Sequence, residues 1–351
     1  MKDHHQYAPV LRLKASELDA VGKLYPDVKK RITPLIEIIP KTDEEKPFAE
    51  YIATRLKNLA AACEGIPVYI DFAHIQSNPA ELNTALKALE GMFASKTINY
   101  IPVVTLRTPK AIGAHFLRLT QSGRDIAIRI KSTEALSANF AKAYLDLLSA
   151  NKAEITKLHL ILDCELVDGQ PPDIKAIANN LPNLSPYARF ILLSGSFPKD
   201  LTGFKLGISQ CPRNDWGLWK QARISKAFSR TPIFGDYAIQ HPIYSAPPAA
   251  ANVSASIRYT AEDYWLILRG ESLRNANGPK HKQYAAHTLL LVSRPEFTGE
   301  SFCAGDNHIN STAVERRTTG TVKKTGNPKT WLAVGFNHHL SFVINQLAKI
   351  P

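Results

Sequence analysis

The chain has 351 residues, 44% of them apolar, and a formal net charge of +12. That is enough apolar residue for a sizeable core, yet no run approaches the ~18–20 consecutive apolar residues of a membrane span, and a membrane partner is not expected. The opening MKDHHQYAPVLRLK lacks an apolar h-region, which predicts a cytoplasmic protein, and the scattered Cys63, Cys164, Cys211 and Cys303 form no C-x-x-C pair, which argues against a disulfide framework or a cysteine-rich zinc site.

In chain order, short β-rich runs alternate with helix-like stretches. The runs are APVLRL (8–13), TPLIEII (33–39), PVYIDF (67–72), YIPVVTL (100–106), DIAIRI (125–130), LHLILD (158–163), RFILLS (189–194) and PIFGDYAI (232–239). Between them, residues 45–63 place Phe48, Tyr51, Ile52, Leu56 and Leu59 on one helical face. Residues 78–93 open with Asn78 as an N-cap and Pro79 at the first helical position. Segments 132–150, 171–181 and 213–228 continue the pattern. Eight strands separated by helix-length connections predict an α/β fold, a (β/α)8 TIM-like barrel over residues 1–244. A doubly wound open sheet is the rival, but no G-x-G-x-x-G or G-x-x-x-x-G-K-[ST] occurs.

Residues 245–256, SAPPAAANVSAS, read as a linker. Residues 257–351 read as a smaller α+β region packed on the barrel as a lid. Segment 256–270 suggests strand and turn, or a short helix into a strand, and 281–293 a helix. Segment 310–330 has almost no large apolar residue and reads as a long loop, whose Arg316, Arg317, Lys323 and Lys324 could meet phosphate. The last helix is expected to start at Asn337 as N-cap, followed by the adjacent His338 and His339. Two neighbouring helical residues point about 100° apart, so this pair suits a hydrogen bond at the site better than joint metal ligation.

The sharpest chemical signal is charge at the strand ends. Ionisable groups in a β-run are costly unless paired or solvated. In a parallel barrel the C-terminal strand ends form the ligand-facing mouth. Glu37, Asp71, Asp163 and Asp236 are thus candidate catalytic carboxylates, able to hold a divalent metal or move protons, with His338 as a further proton carrier. Lys14, Arg107, Arg129 and Lys131 are candidate phosphate contacts, with Tyr237, Tyr259, Arg269, Asn337 and His339 completing the binding set. The bland alternative is a self-neutralising ring of ion pairs on an inactive barrel. His74, three residues after Asp71, also falls near the mouth.

Several stretches together carry a resemblance. YAPVLRLKASELDAV, ITPLIEIIP, GDYAIQHP, IRYT with WLILRG, and the closing GNPKTWLAVGFNHH resemble the beta family of bacterial and phage proteins, in order and along essentially the whole chain. The resemblance implies Pro34, Glu37, Asp71, Asp163, Asp236, Tyr237, Arg258, Tyr259, Arg269, Gly270, Gly326, Asn327, Trp331, Asn337, His338 and His339 as characteristic positions. It also implies a setting in phage or defence-associated loci, but no reaction. Three expectations follow. One is hydrolysis of a phosphate-containing ligand, a nucleotide or nucleic-acid phosphodiester. The second is a non-catalytic sensor of such a ligand. The third is an interaction module that binds a protein partner from a phage or defence locus.

Overall fold

The period-2 patterning of the β-rich runs decides the architecture, because it gives each strand one face toward a barrel interior and one toward a ring of helices. The computed structural model describes residues 6–41, 46–108, 113, 123–152, 154–246 and 253–350. Its parallel strands are β1 (Tyr7–Arg12), β2 (Leu35–Glu37), β3 (Val68–Asp71), β4 (Tyr100–Thr105), β5 (Ile126–Lys131), β6 (Leu158–Leu166), β7 (Arg189–Gly195) and, after a strand β8 (Gly207–Pro212) that leaves the barrel, β9 (Ile233–Asp236). The eight close in the order β1-β2-β3-β4-β5-β6-β7-β9, with β9 pairing back onto β1. Each of the eight expected runs supplies one stave.

Val10, Leu35, Tyr69, Val103, Ile161 and Leu193 fill the interior. The alternate residues face the helices α1 (Ala15–Gly22), α2 (Pro26–Lys29), α3 (Phe48–Ala62), α4 (Pro79–Ala94), α5 (Ser132–Ala135), α6 (Phe140–Asn151), α7 (Ile174–Asn180) and α8 (Asn214–Ile224). On α3, Ile52, Leu56 and Leu59 of the expected stripe are fully buried, worth about 1.5–3 kcal/mol per side chain, while Phe48 and Tyr51 are partly buried. The Asn78 side chain accepts from the backbone N–H of Glu81 and caps α4 as its sequence suggests.

The remaining elements are β10 (Ser254–Thr260), β11 (Tyr264–Ser272), α9 (Gln283–Val292), α10 (Ala304–Thr319) and α11 (Pro328–Ala348). Strands β10 and β11 form an antiparallel hairpin, and β8 adds to it along β11. The sequence reading missed β8, whose GISQCP has little bulk. Because β8 lies between β7 and α8, the smaller sheet is sewn into the barrel chain rather than beginning after residue 244. Residues 247–252, most of the expected linker, lie outside the described residues.

Three expectations about the C-terminal part are corrected. Residues 310–319, read as loop, continue α10. Its buried Ile309, Thr312 and Ala313 recur at helical spacing, but its polar residues hid the pattern. The last helix begins ten residues earlier than expected, at Pro328, with Asn327 as N-cap accepting from Thr330 N–H. It is also not a lid over the mouth. Leu340, Val343, Ile344 and Leu347 join the core between barrel staves and outer helices, and Trp331 and Val334 join the core of the small sheet. With contacts to α1, α2 and β1, α11 takes the place of the eighth barrel helix. A helix clamped between two cores is buried nearly all round, which explains its apolar character on every side. Among the described residues no helix is long and apolar enough to cross a membrane.

Candidate functional site

The strand ends build two separate polar clusters, and strand alternation decides which residue joins which. At the mouth, the inward positions end in Arg12, Glu37, Asp71, Arg129 and Asp163, and Tyr237 follows directly after β9. Arg129 sits at the centre. Its Nη1 donates to Glu37 Oε1 (3.0 Å) and to Asp71 Oδ2 (2.6 Å). Its Nε and Nη2 both donate to Asp163 Oδ2 (3.0 and 2.8 Å), and Nη2 also reaches Tyr237 Oη (2.6 Å). The Tyr237 hydroxyl donates in turn to Asp163 Oδ2 (2.7 Å). Gly195 makes room for this tyrosine, since a Cβ there would stand 2.9 Å from its ring.

The loops behind these carboxylates repeat one device. Asp71 Oδ1 accepts from Ala73 N–H, Asp163 Oδ1 from Glu165 N–H, and Asp236 Oδ1 from Ala238 N–H, all at 2.8–2.9 Å. In each case an aspartate at or near the strand end fixes the backbone two residues on.

Above the Arg129 cluster lies a second layer. His74 Nε2 stands 3.2 Å from Glu37 Oε2, and Arg12 Nε 3.8 Å from the same oxygen. Arg12 also donates to Gln240 Oε1 and to the His241 carbonyl. The Tyr244 ring packs against His74 (5.3 Å between centroids), under Arg12 (5.1 Å) and Lys14 (5.4 Å). The Tyr244 hydroxyl is shielded from solvent without a hydrogen-bond partner among the described residues. Burial pulls the Lys14 amine below its ordinary pKa. At the outer rim Lys131 pairs with Glu165 (2.7 Å), and the exposed Arg107 approaches Glu134 (3.4 Å). Tyr244 and Gln240 were not singled out from sequence. Both follow β9, the part of a barrel strand where mouth residues arise, which is the signal that could have found them.

Burial works against the charge of Glu37, but His74 and Arg129, with Arg12, more than offset it and bring the carboxyl to about 2. A depressed carboxylate adds stability above its unfolded pKa, and that stability is lost as pH falls through the folded value. From about 4.3 unfolded to the folded value, the shift is worth about 3 kcal/mol. Glu37→Gln is therefore expected to flatten the fall in stability between about pH 4.5 and 2, measured by urea midpoints at each pH.

The expected mouth metal is not supported by these donors. Glu37, Asp71 and Asp163 converge on a point already filled by the Arg129 guanidinium, which supplies the positive charge an ion would bring.

Asp236 is the main correction to the expected site. It precedes Tyr237 by one residue, so it faces the opposite side of the barrel wall. There Oδ1 accepts from Tyr7 Oη (2.5 Å), and Oδ2 lies 2.9 Å from His339 Nε2. His339 Nδ1 meets Thr260 Oγ1 (2.8 Å). Burial holds His339 below its ordinary pKa, despite Asp236. Burial raises the Asp215 carboxyl to about 6, with Asp236 adding repulsion.

The other C-terminal candidates are also far from the mouth interior. His338 Nε2 contacts the Thr260 carbonyl (2.9 Å), and Nδ1 lies 3.0 Å from Asp306 Oδ1. Its ring stacks on Tyr259 (3.7 Å). Asn337 lies mid-helix instead of capping, accepting from Gly305 N–H and donating to the Ala20 carbonyl, and so ties α1, α10 and α11 together. Arg269 donates to the Phe204 carbonyl (2.5 Å) beside the small sheet. His338, His339, Asn337, Tyr259 and Arg269 thus hold the C-terminal region and barrel wall together, and are not gathered over the mouth.

A model of the Beta protein family matches residues 7–345. The chain belongs to the Beta protein family. The Beta family relative Protein beta of Enterobacteria phage P4 is 24% identical over 352 residues, covering 97% of this chain and 93% of the relative. The YdjI aldolase of Escherichia coli K12 aligns over 92% of this chain and 93% of that one, with 9% identity and a TM-score of 0.34. The closed barrel of this Beta family chain rests on its own strand pairing.

Proposed function

We propose that the barrel mouth binds a phosphate-containing ligand, a nucleotide or a nucleic-acid phosphodiester, and hydrolyses it. The observation that carries this reading is the Glu37–His74 pair beneath Tyr244 and Lys14. Glu37, held ionised, stands 3.2 Å from His74 Nε2, an ion-pair distance without an aligned hydrogen bond. An imidazole beside an ionised carboxylate is suited to general-base work. Lys14 has no ion-pair partner among the described residues and lies over the Tyr244 ring, so its charge is available to a phosphate oxygen. In this reading His74 takes a proton from water, the water oxygen bonds to phosphorus, and the leaving oxygen departs with a proton returned from the imidazolium. The net charge of +12 favours capture of such anions.

A second reading, recognition without turnover within a phage or defence complex, draws support from Arg129. It occupies the inner carboxylates, leaving none of them free as a second proton carrier. The two readings separate in one experiment. Thermal shifts with a nucleotide panel report binding, and bis(p-nitrophenyl) phosphate and a labelled oligonucleotide report cleavage. Hydrolysis predicts that His74→Ala retains the ligand-induced shift but lowers turnover ~100-fold or more, whereas Lys14→Ala weakens the shift itself. A shift with no product in the wild-type chain selects the sensor. No shift with any nucleotide or oligonucleotide removes both.

A further inference from the structure

We propose that Cys303, Asp306 and His338 form a binding site for a zinc-class divalent transition-metal ion. The site is independent of the mouth and shares no residue with it. One ligand atom from each of the three residues, a thiol sulfur, a carboxylate oxygen and an imidazole nitrogen, lies within 4.8 Å of the others, and all three residues are buried. Sulfur, nitrogen and oxygen in one small cage suit zinc and its neighbours rather than magnesium or calcium.

The local sequence builds the cage. Cys303 is the N-cap of α10, and its Sγ accepts from Asp306 N–H at 3.3 Å, so the C-x-x-D spacing turns both side chains to one side of the first turn. His338 arrives from α11. Helices α10 and α11 approach closely because position 305 is glycine; a Cβ there would stand 2.6 Å from the Val334 carbonyl.

The second observation is the state of the inner atoms. His338 Nδ1 and Asp306 Oδ1 are fully buried and 3.0 Å apart, yet neither makes an aligned hydrogen bond. Every outward atom is held. His338 Nε2 meets the Thr260 carbonyl at 2.9 Å, and Asp306 Oδ2 accepts from the Thr298 and Tyr259 hydroxyls. A ligating histidine whose other nitrogen donates to a backbone carbonyl, beside a hydrogen-bonded carboxylate, is the usual supporting shell of such ions. The bound ion would pin α10 to α11 and thereby to the barrel wall.

The test uses the full chain, reduced, stripped with a chelator and titrated with Co2+. The expected result is one cobalt per chain, a thiolate-to-cobalt charge-transfer band in the near ultraviolet, and a rise in Tm. Cys303→Ser should lose the band and the stoichiometric binding, while Cys63→Ser keeps both. His338→Gln serves as the second ligand variant if its circular dichroism is native. A folded wild-type chain that takes up no more cobalt than Cys303→Ser overturns the proposal. So does a band that survives Cys303→Ser or vanishes in Cys63→Ser.

Discussion

Replacing Arg129 by methionine is expected to destabilise the protein by about 3–5 kcal/mol at pH 7, the cost of leaving buried charge without its partner. The arginine makes contact with Glu37, Asp71 and Asp163 together, and each of these is at most 2% exposed. With it gone, three carboxylates would face each other in the barrel mouth. Lysine should recover only part of the loss, because a point charge cannot reproduce the planar fork that reaches three acids and Tyr237. The deficit of the methionine variant should also shrink toward pH 4, as the orphaned carboxylates take up protons. Urea titrations at the two pH values measure both effects. A methionine variant within ~1 kcal/mol of the wild type would show that the charges are not coupled as the distances imply.

Ending the chain at Asn327 is expected to abolish cooperative folding. This cut removes all of α11, whose Leu340, Val343, Ile344 and Leu347 cover the outside of the barrel and whose Trp331 fills the small sheet. It also removes His339, leaving the buried Asp236 without its imidazole partner. Four fully buried aliphatic side chains at about 1.5–3 kcal/mol each come to about 6–12 kcal/mol, comparable to the whole stability of an ordinary domain. The truncated chain should bind a hydrophobic dye and show no sharp thermal transition. If it melts cooperatively near the wild-type Tm, α11 is an appendage and not part of the barrel wall. The outcome also separates a wall from a lid, since loss of a lid would empty the mouth without unfolding the barrel.

The barrel was legible because its signal is local. Runs such as PVYIDF and LHLILD are β-rich and bounded by helical stretches, and nothing distant is needed to read them. The same holds for Glu37, Asp71, Arg129 and Asp163, since a charged residue at an inward strand position must meet the mouth or remain unpaired. Asp236 could have been separated from them by the same rule. Tyr237 and Asp236 are neighbours and cannot share a face, so one of them had to leave the site. Segment 310–319 was illegible for the opposite reason: α10 presents few large apolar residues, and its helix is stabilised by packing against α9 and α11.

By itself, then, the sequence determined the number of staves, their direction and the charged inner layer at their ends, because side-chain alternation and helix periodicity are properties of adjacent residues. Only the tertiary structure decided that Arg129 fills the point between the carboxylates, that β8 departs to pair with β11, and that His338 turns to Asp306 and Cys303 while His339 turns to Asp236. Those pairings join residues up to a hundred or more positions apart, and their partners are set by which surfaces meet when α11 packs between two cores.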